Sequence, residues 1–247
     1  MPRALPPAPN PQKRTATSRP PRSSKPKRPR LSVGQTESPQ VSSLGAEYRL
    51  PLADADCFYV PDLVGEHTAR EWHDQLLNLD EWYRPTLKVY GKDVVQSRKI
   101  AAFATDRGLE IKYSGHPVQM SYDYPPLLRK IQDLVEARLG VTFNHVMANL
   151  YEDGGVYIGK HRDNRENRVI ASLSLGAVRT FVLTHDRPPA HASTSEPLLY
   201  SHRVALGSGS LLVMQGATQQ HWKHEIPREK RAVRDSRISL TFRQLVF

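Results

Sequence analysis

Arg237-Ile238-Ser239-Leu240-Thr241-Phe242-Arg243 alternates polar and apolar residues without a break. Successive side chains of a β-strand point to opposite faces, so this heptad has one apolar face and one polar face. The apolar face is Ile238, Leu240 and Phe242. The polar face carries Arg237, Ser239, Thr241 and Arg243. Turned inward, two arginines would be costly without anionic partners. Their Cα atoms would stand ~20 Å apart at ~3.3 Å per residue. Two long side chains reaching in from those ends could clasp a small dicarboxylate, which guanidinium forks bind in bidentate fashion. Turned outward, the same heptad is an ordinary amphipathic strand.

Upstream, several short segments share its β-rich composition: 141–151, 169–175, 180–183 and 210–214, with the last strand running over 237–246. Gly, Pro, Asp and Asn turns separate them, and residues 186–195 read as a loop. Two helices precede most of these strands. Residues 62–79 place Leu63, Trp72, Leu76 and Leu79 among charges, and residues 127–139 start after Pro125-Pro126 and stop at Gly140. The order suggests an α+β fold in which N-terminal helices support a β-sandwich or jelly roll.

The strand-rich region also holds His161-Arg162-Asp163. On a strand, residues i and i+2 share a face, so an imidazole and a carboxylate would meet there with Arg162 turned away. One further histidine would complete the 2-His-1-carboxylate triad of non-haem Fe(II) oxygenases. His221 and His224 both qualify on residue type alone.

Residues 1–40 differ in kind. They contain ten of the twenty prolines and nine Lys or Arg against one acid, a net +8 out of the chain's +10. Such a segment cannot bury enough apolar surface to offset its ordering entropy. Residues 1–46 are therefore expected to be a disordered basic tail and residues 47–247 the folded domain. Lys25-Pro26-Lys27-Arg28-Pro29-Arg30 resembles a nuclear localisation signal or a nucleic-acid-binding arm. The single cysteine, Cys57, excludes an internal disulfide and reads as a small buried hydrophobe. No apolar run reaches the ~18 residues of a membrane span.

Longer motifs surround the candidate ligands: Asn149-Leu150-Tyr151, Asp153-Gly154, Ile158-Gly159-Lys160-His161-Arg162-Asp163, Ile170 through Gly176, Gly209 through Met214, and His221-Trp222-Lys223-His224. Together with the arginine strand, they resemble the AlkB family of Fe(II)- and 2-oxoglutarate-dependent nucleic-acid dealkylases over about residues 50–247. The resemblance implies a double-stranded β-helix (jelly roll) and a triad of His161, Asp163 and His224. It assigns 2-oxoglutarate to Asn149, Tyr151, Arg237, Thr241 and Arg243, with Arg237 on the distal carboxylate and Arg243 near iron. It implies dioxygen as co-substrate, with succinate and carbon dioxide as co-products.

Within the family, the sequence is most similar to the eukaryotic double-stranded DNA repair branch, which implies a nuclear protein acting on alkylated DNA, duplex or single-stranded. A monomer is expected. Tyr90, in Val89-Tyr90-Gly91-Lys92, takes the place of an intercalating wedge. Such a wedge offsets part of the cost of extruding a base. Ile111, Tyr113 and Ser114 match a segment lining the flipped-base pocket, with Ile111 replacing an aromatic. Arg187, Arg228, Lys230 and Arg231 match loops that contact phosphates. Where the family has one or two acids after the ligand aspartate, this chain has Asn164-Arg165-Glu166. Asn164 retains an acceptor oxygen, and Glu166 is the candidate acid for reading the base's exocyclic amine. The same chemistry on RNA is a rival reading, against which the Tyr90 wedge argues. A non-catalytic nucleic-acid-binding module is another, and so is a metal-dependent hydrolase, which would leave Arg237 and Arg243 unexplained.

Overall fold

The computed structural model describes residues 41, 43–89, 91–113, 116–164, 166–188, 198–229 and 233–246. The basic tail and its candidate localisation signal lie outside them. Strand β1 (Asp56–Val60) leads into helix α1 (Glu66–Leu76). Five short strands follow: β2 (Thr86–Val89), β3 (Lys92–Val95), β4 (Lys99–Ala104), β5 (Lys112–Tyr113) and β6 (His116–Pro117). Next come β7 (Met120–Ser121), helix α2 (Pro126–Leu139), β8 (His145–Tyr151) and β9 (Ile158–His161). The C-terminal half is β10 (Asn167–Gly176), β11 (Arg179–His185), β12 (Ser201–Leu206), β13 (Leu211–Gln215), the one-turn α3 (Thr218–His221), β14 (Trp222–Ile226) and β15 (Arg237–Leu245).

Seven strands form a major sheet in the order β1-β13-β10-β15-β8-β4-β7, and four form a minor sheet, β12-β11-β14-β9. The opening heptad is therefore a central strand: β15 lies between β10 and β8 and is antiparallel to both. Ile238, Leu240 and Phe242 are fully buried and pack on one side with Trp72 and Leu76 of α1 and Leu128, Ile131 and Val135 of α2. Each such side chain contributes roughly 1.5–3 kcal/mol by leaving water. A second core fills the space between the sheets, with Cys57, Ile170, Phe181, Leu183, Trp222 and Ile226 among its members. Two sheets packed face to face with helices behind the larger one constitute the expected α+β jelly roll.

Helix α2 begins with Pro126 in its first turn and ends at Gly140, whose left-handed φ of 67° suits glycine. Helix α1 is shorter than the pattern over 62–79 suggests. The amides of Leu63 and Val64 both donate to Gly209 O, which ties that turn to the β12–β13 connection instead of the helix. At the other end, the Trp82 indole donates to Leu76 O at 2.9 Å and satisfies a terminal carbonyl. Val41 is 4% and Leu44 8% exposed, both inside the first core, and the Val41 amide donates to the Gln215 side chain at 2.9 Å. Val41 and Leu44 thus pack against the first core although composition does not announce them.

Candidate active site

β9 and β14 pair so that His161 stands opposite His224. This register brings the two rings together, with centroids 4.3 Å apart. β9 ends at His161, so Asp163 comes from the following loop rather than from a continuous strand. Arg162 does turn away, donating to Trp222 O at 3.3 Å and to the Asp186 carboxylate. One ligand atom from each of His161, Asp163 and His224 lies within 4.8 Å of the others. His161 Nδ1 is 2.9 Å from Gly159 O, which places the proton there and leaves Nε2 for a metal. Phe181 stacks on His224. His221 lies outside the triad, exposed, and stacks on His185 with only 7° between the rings.

The charges suit a divalent cation. Burial drives His224 down to about 3, with His161 adding to the effect, and burial lowers His161 as well. Burial alone would raise Asp163, but Arg243, His224 and His161 outweigh it and hold the carboxyl at about 2. Two neutral imidazoles and one carboxylate result, the protonation a metal requires.

A cavity of about 60 Å³ opens from the triad between the sheets, and Arg237, Ser239, Thr241 and Arg243 all line it. At the triad end, Arg243 Nη2 holds Asp163 Oδ1 at 2.9 Å. At the far end, Arg237 is 2% exposed and donates from Nη2 to Ser174 Oγ at 2.9 Å. Its Nε and Nη1 are buried with no hydrogen-bond partner among the described residues. Burial, with Arg179 nearby, lowers Arg237 to about 10. A cation buried with idle donors is expensive unless an anion completes it. Tyr151 and Asn149 border the same cavity; Asn149 Oδ1 accepts from Arg98 Nε at 3.0 Å. Arg98, buried on the same wall, is a residue that strand patterning does not single out.

On the other side of Asp163 and Arg243 lies a second cavity of about 60 Å³. Ile111, Lys112, His145, Met147 and Asn164 border it. Glu166 is not brought there. A turn closed by the Asn167 amide on Asn164 O, with the Val246 amide bonded to Glu166 O, leaves Glu166 exposed on a separate cleft of about 980 Å³. Arg187 borders that cleft too. Arg228 is exposed, with its guanidinium 4.1 Å from the centre of the Tyr157 ring. The backbone of Tyr113 pairs with His116 in β5–β6. β2 and β3 pair as far as Val89 opposite Lys92, with Gly91 at a φ of 78°. Tyr90, Ser114, Lys230 and Arg231 lie outside the described residues.

The loops entering β9 and leaving β14 share one brace. Arg179, 1% exposed, donates to Asp153 O, Val156 O and Pro227 O and to the Glu229 carboxylate. The two backbones approach so closely that a Cβ on Gly154 would stand 2.3 Å from Glu229 O.

Residues 56–243 match the 2OG-Fe(II) oxygenase superfamily model. The chain is 34% identical over 212 residues to the DNA oxidative demethylase ALKBH2 of Homo sapiens, covering 83% of this chain and 79% of that protein. It is 28% identical over 225 residues to the human alpha-ketoglutarate-dependent dioxygenase alkB homolog 3, covering 88% and 77%. The solved structure of OsALKBH1 shares the fold with a TM-score of 0.52 at 15% identity, covering 78% of this chain and 99% of that one. The chain belongs to the 2OG-Fe(II) oxygenase superfamily and, within it, to the AlkB family, and it is a dioxygenase using Fe(II) and 2-oxoglutarate with dioxygen.

Proposed function

We propose that this AlkB-family dioxygenase oxidatively demethylates N-alkylated DNA bases such as 1-methyladenine and 3-methylcytosine, acting on duplex DNA with the base flipped out. The observation that carries the reading is Arg237, a buried guanidinium with two partnerless donors facing a cavity that ends at His161, Asp163 and His224. In this reading those three residues are the metal ligands. Arg237 takes the distal carboxylate of 2-oxoglutarate, assisted by Tyr151. Thr241, Asn149 and Arg243 border the end nearer the metal, and Arg243 also keeps Asp163 oriented and ionised. Fe(II) with 2-oxoglutarate and dioxygen supplies the oxidation that turns an N-methyl into an N-hydroxymethyl group, which leaves as formaldehyde.

The chain's own part on the substrate side is positioning and extrusion. Ile111 and Asn164 border the cavity beside the triad, and Tyr113 and Ser114 are assigned to the same base pocket from their place in the sequence. Tyr90, which follows β2 in the sequence, is assigned as the wedge that fills the vacated stack. Arg187, Arg228, Lys230 and Arg231 are assigned to phosphates. The protein works as a monomer in the nucleus, with residues 25–30 as its import signal.

Purified full-length protein with Fe(II) and 2-oxoglutarate tests this on oligonucleotides carrying one methylated base. Duplex DNA should yield formaldehyde and the restored base faster than single-stranded DNA or RNA. Faster repair of RNA would move the substrate class, and no conversion of any of the three would overturn the reading.

A further inference from the structure

β8 presents one face to the two cavities, and residues two apart share that face. Met147, Asn149 and Tyr151 all line the cavity that ends at Arg237. The fourth member of the row is His145, the first residue of β8, paired with Ala104 of β4 and Arg243 of β15. His145 borders the second cavity instead, with Met147, Asp163 and Arg243 on the wall common to both. It is 0% exposed, and neither ring nitrogen has a hydrogen-bond partner among the described residues. Buried polar atoms are nearly always partnered, so an idle pair beside a cavity points to a missing ligand group. Nothing in the metal triad or the dicarboxylate cavity uses this ring.

We infer that His145 is a base-reading residue whose imidazole accepts a hydrogen bond from the exocyclic amine beside the alkylated ring nitrogen. The inference rests on the proposed DNA demethylation. 1-Methyladenine and 3-methylcytosine both carry such an amine next to the methylated nitrogen, and both are cationic. A neutral imidazole offers one bare nitrogen and one N–H. Burial and the neighbouring Arg243 guanidinium keep this ring neutral. His145 is a fully buried member of the cavity wall, whereas Asn164 is an exposed one. His145 therefore supplies depth where the Asn164-Arg165-Glu166 segment directs its acid elsewhere.

Binding measured anaerobically with Fe(II) and 2-oxoglutarate separates this role from turnover. The probes are fluorescent duplexes with and without one 1-methyladenine or 3-methylcytosine. Wild type should bind the methylated duplexes more tightly. H145F, which keeps an aromatic of similar size, should lose about tenfold of that preference, the effect of one hydrogen bond, with affinity for unmethylated duplex unchanged. H145Q keeps a donor and an acceptor and should recover most of it. A wild-type protein without preference would sink the demethylase reading itself. A wild-type preference that H145F retains in full would sink the assignment of His145 alone. Equal losses in H145F and H145Q, with a shared fall in melting temperature, would mark a packing role and also overturn it.

Discussion

The two cavities on either side of Asp163 are built from different materials. The dicarboxylate side is made of long strands: β8 and β15 in the middle of the major sheet, with β10 beside them. Arg98 and Arg237 on it are buried, and Arg243 is half-buried against Asp163. The proposed substrate side shares those two strands through His145, Met147, Arg243 and Leu245 but is completed by segment ends and loops: Ile111 and Lys112 at the start of β5 and Asn164 in the loop after β9. On the proposed function, the difference teaches that the reaction is set by the shared sheet, while choice of substrate is left to the added segments, which can vary without disturbing it.

Substitutions graded across the two sides test that division. Asp163→Asn strikes where they meet, removing the ligand charge and the partner of Arg243. Metal affinity should fall at least about 100-fold, with activity lost alongside, as read by equilibrium metal titration. Arg237→Met should weaken 2-oxoglutarate by about 2–5 kcal/mol, the cost of truncating one partner of a buried charge pair. The melting temperature of the ligand-free protein should hold or rise, because a buried cation with idle donors is removed. A fall in melting temperature with unchanged 2-oxoglutarate affinity would place Arg237 in the scaffold alone. Arg228→Ala should reduce DNA affinity evenly across sequences and flatten its salt dependence by about one ion, leaving succinate production from saturating substrate near wild type. The smallest effect is expected at Cys57, deep between the sheets. Burial, reinforced by Asp56, pushes its thiol up to about 12. Reactivity needs the thiolate, so at pH 8 only roughly one molecule in ten thousand is competent, and alkylation should wait for denaturant. Rapid modification of native protein would show that the sheet side is less closed than its packing implies.

The same division governs what could be read from residues alone. β15 was legible because a central strand with a helix-covered face and a polar interior enforces strict period-two alternation, and α2 because Pro126 and Gly140 mark its ends. β4 was not, since Ala101, Ala102 and Ala104 carry none of the branched side chains that signal a strand. β14 hides behind Trp222-Lys223-His224-Glu225, where alternation exists but hydrophobicity is thin. The candidate metal ligands were legible as residue types, yet the position of Asp163 beyond the strand end was not. Glu166 misled for a local reason. A turn closed between Asn164 and Asn167 sends its side chain outward, and turn geometry of that kind leaves no imprint on residue pattern. His145 was overlooked because a lone histidine opening an apolar strand looks like any core residue.

Arg179 and Gly154 limit how this protein can diversify. One guanidinium spans the loops on either side of β9 and β14, and a residue without a side chain lets them touch. The connection after Glu229 is therefore where length and charge are expected to vary among related sequences. Its root is not free, because a shorter residue at 179 or any side chain at 154 would part the strands that carry His161 and His224. Related sequences that acquire new substrates should accordingly show insertions at the tip and none at the root.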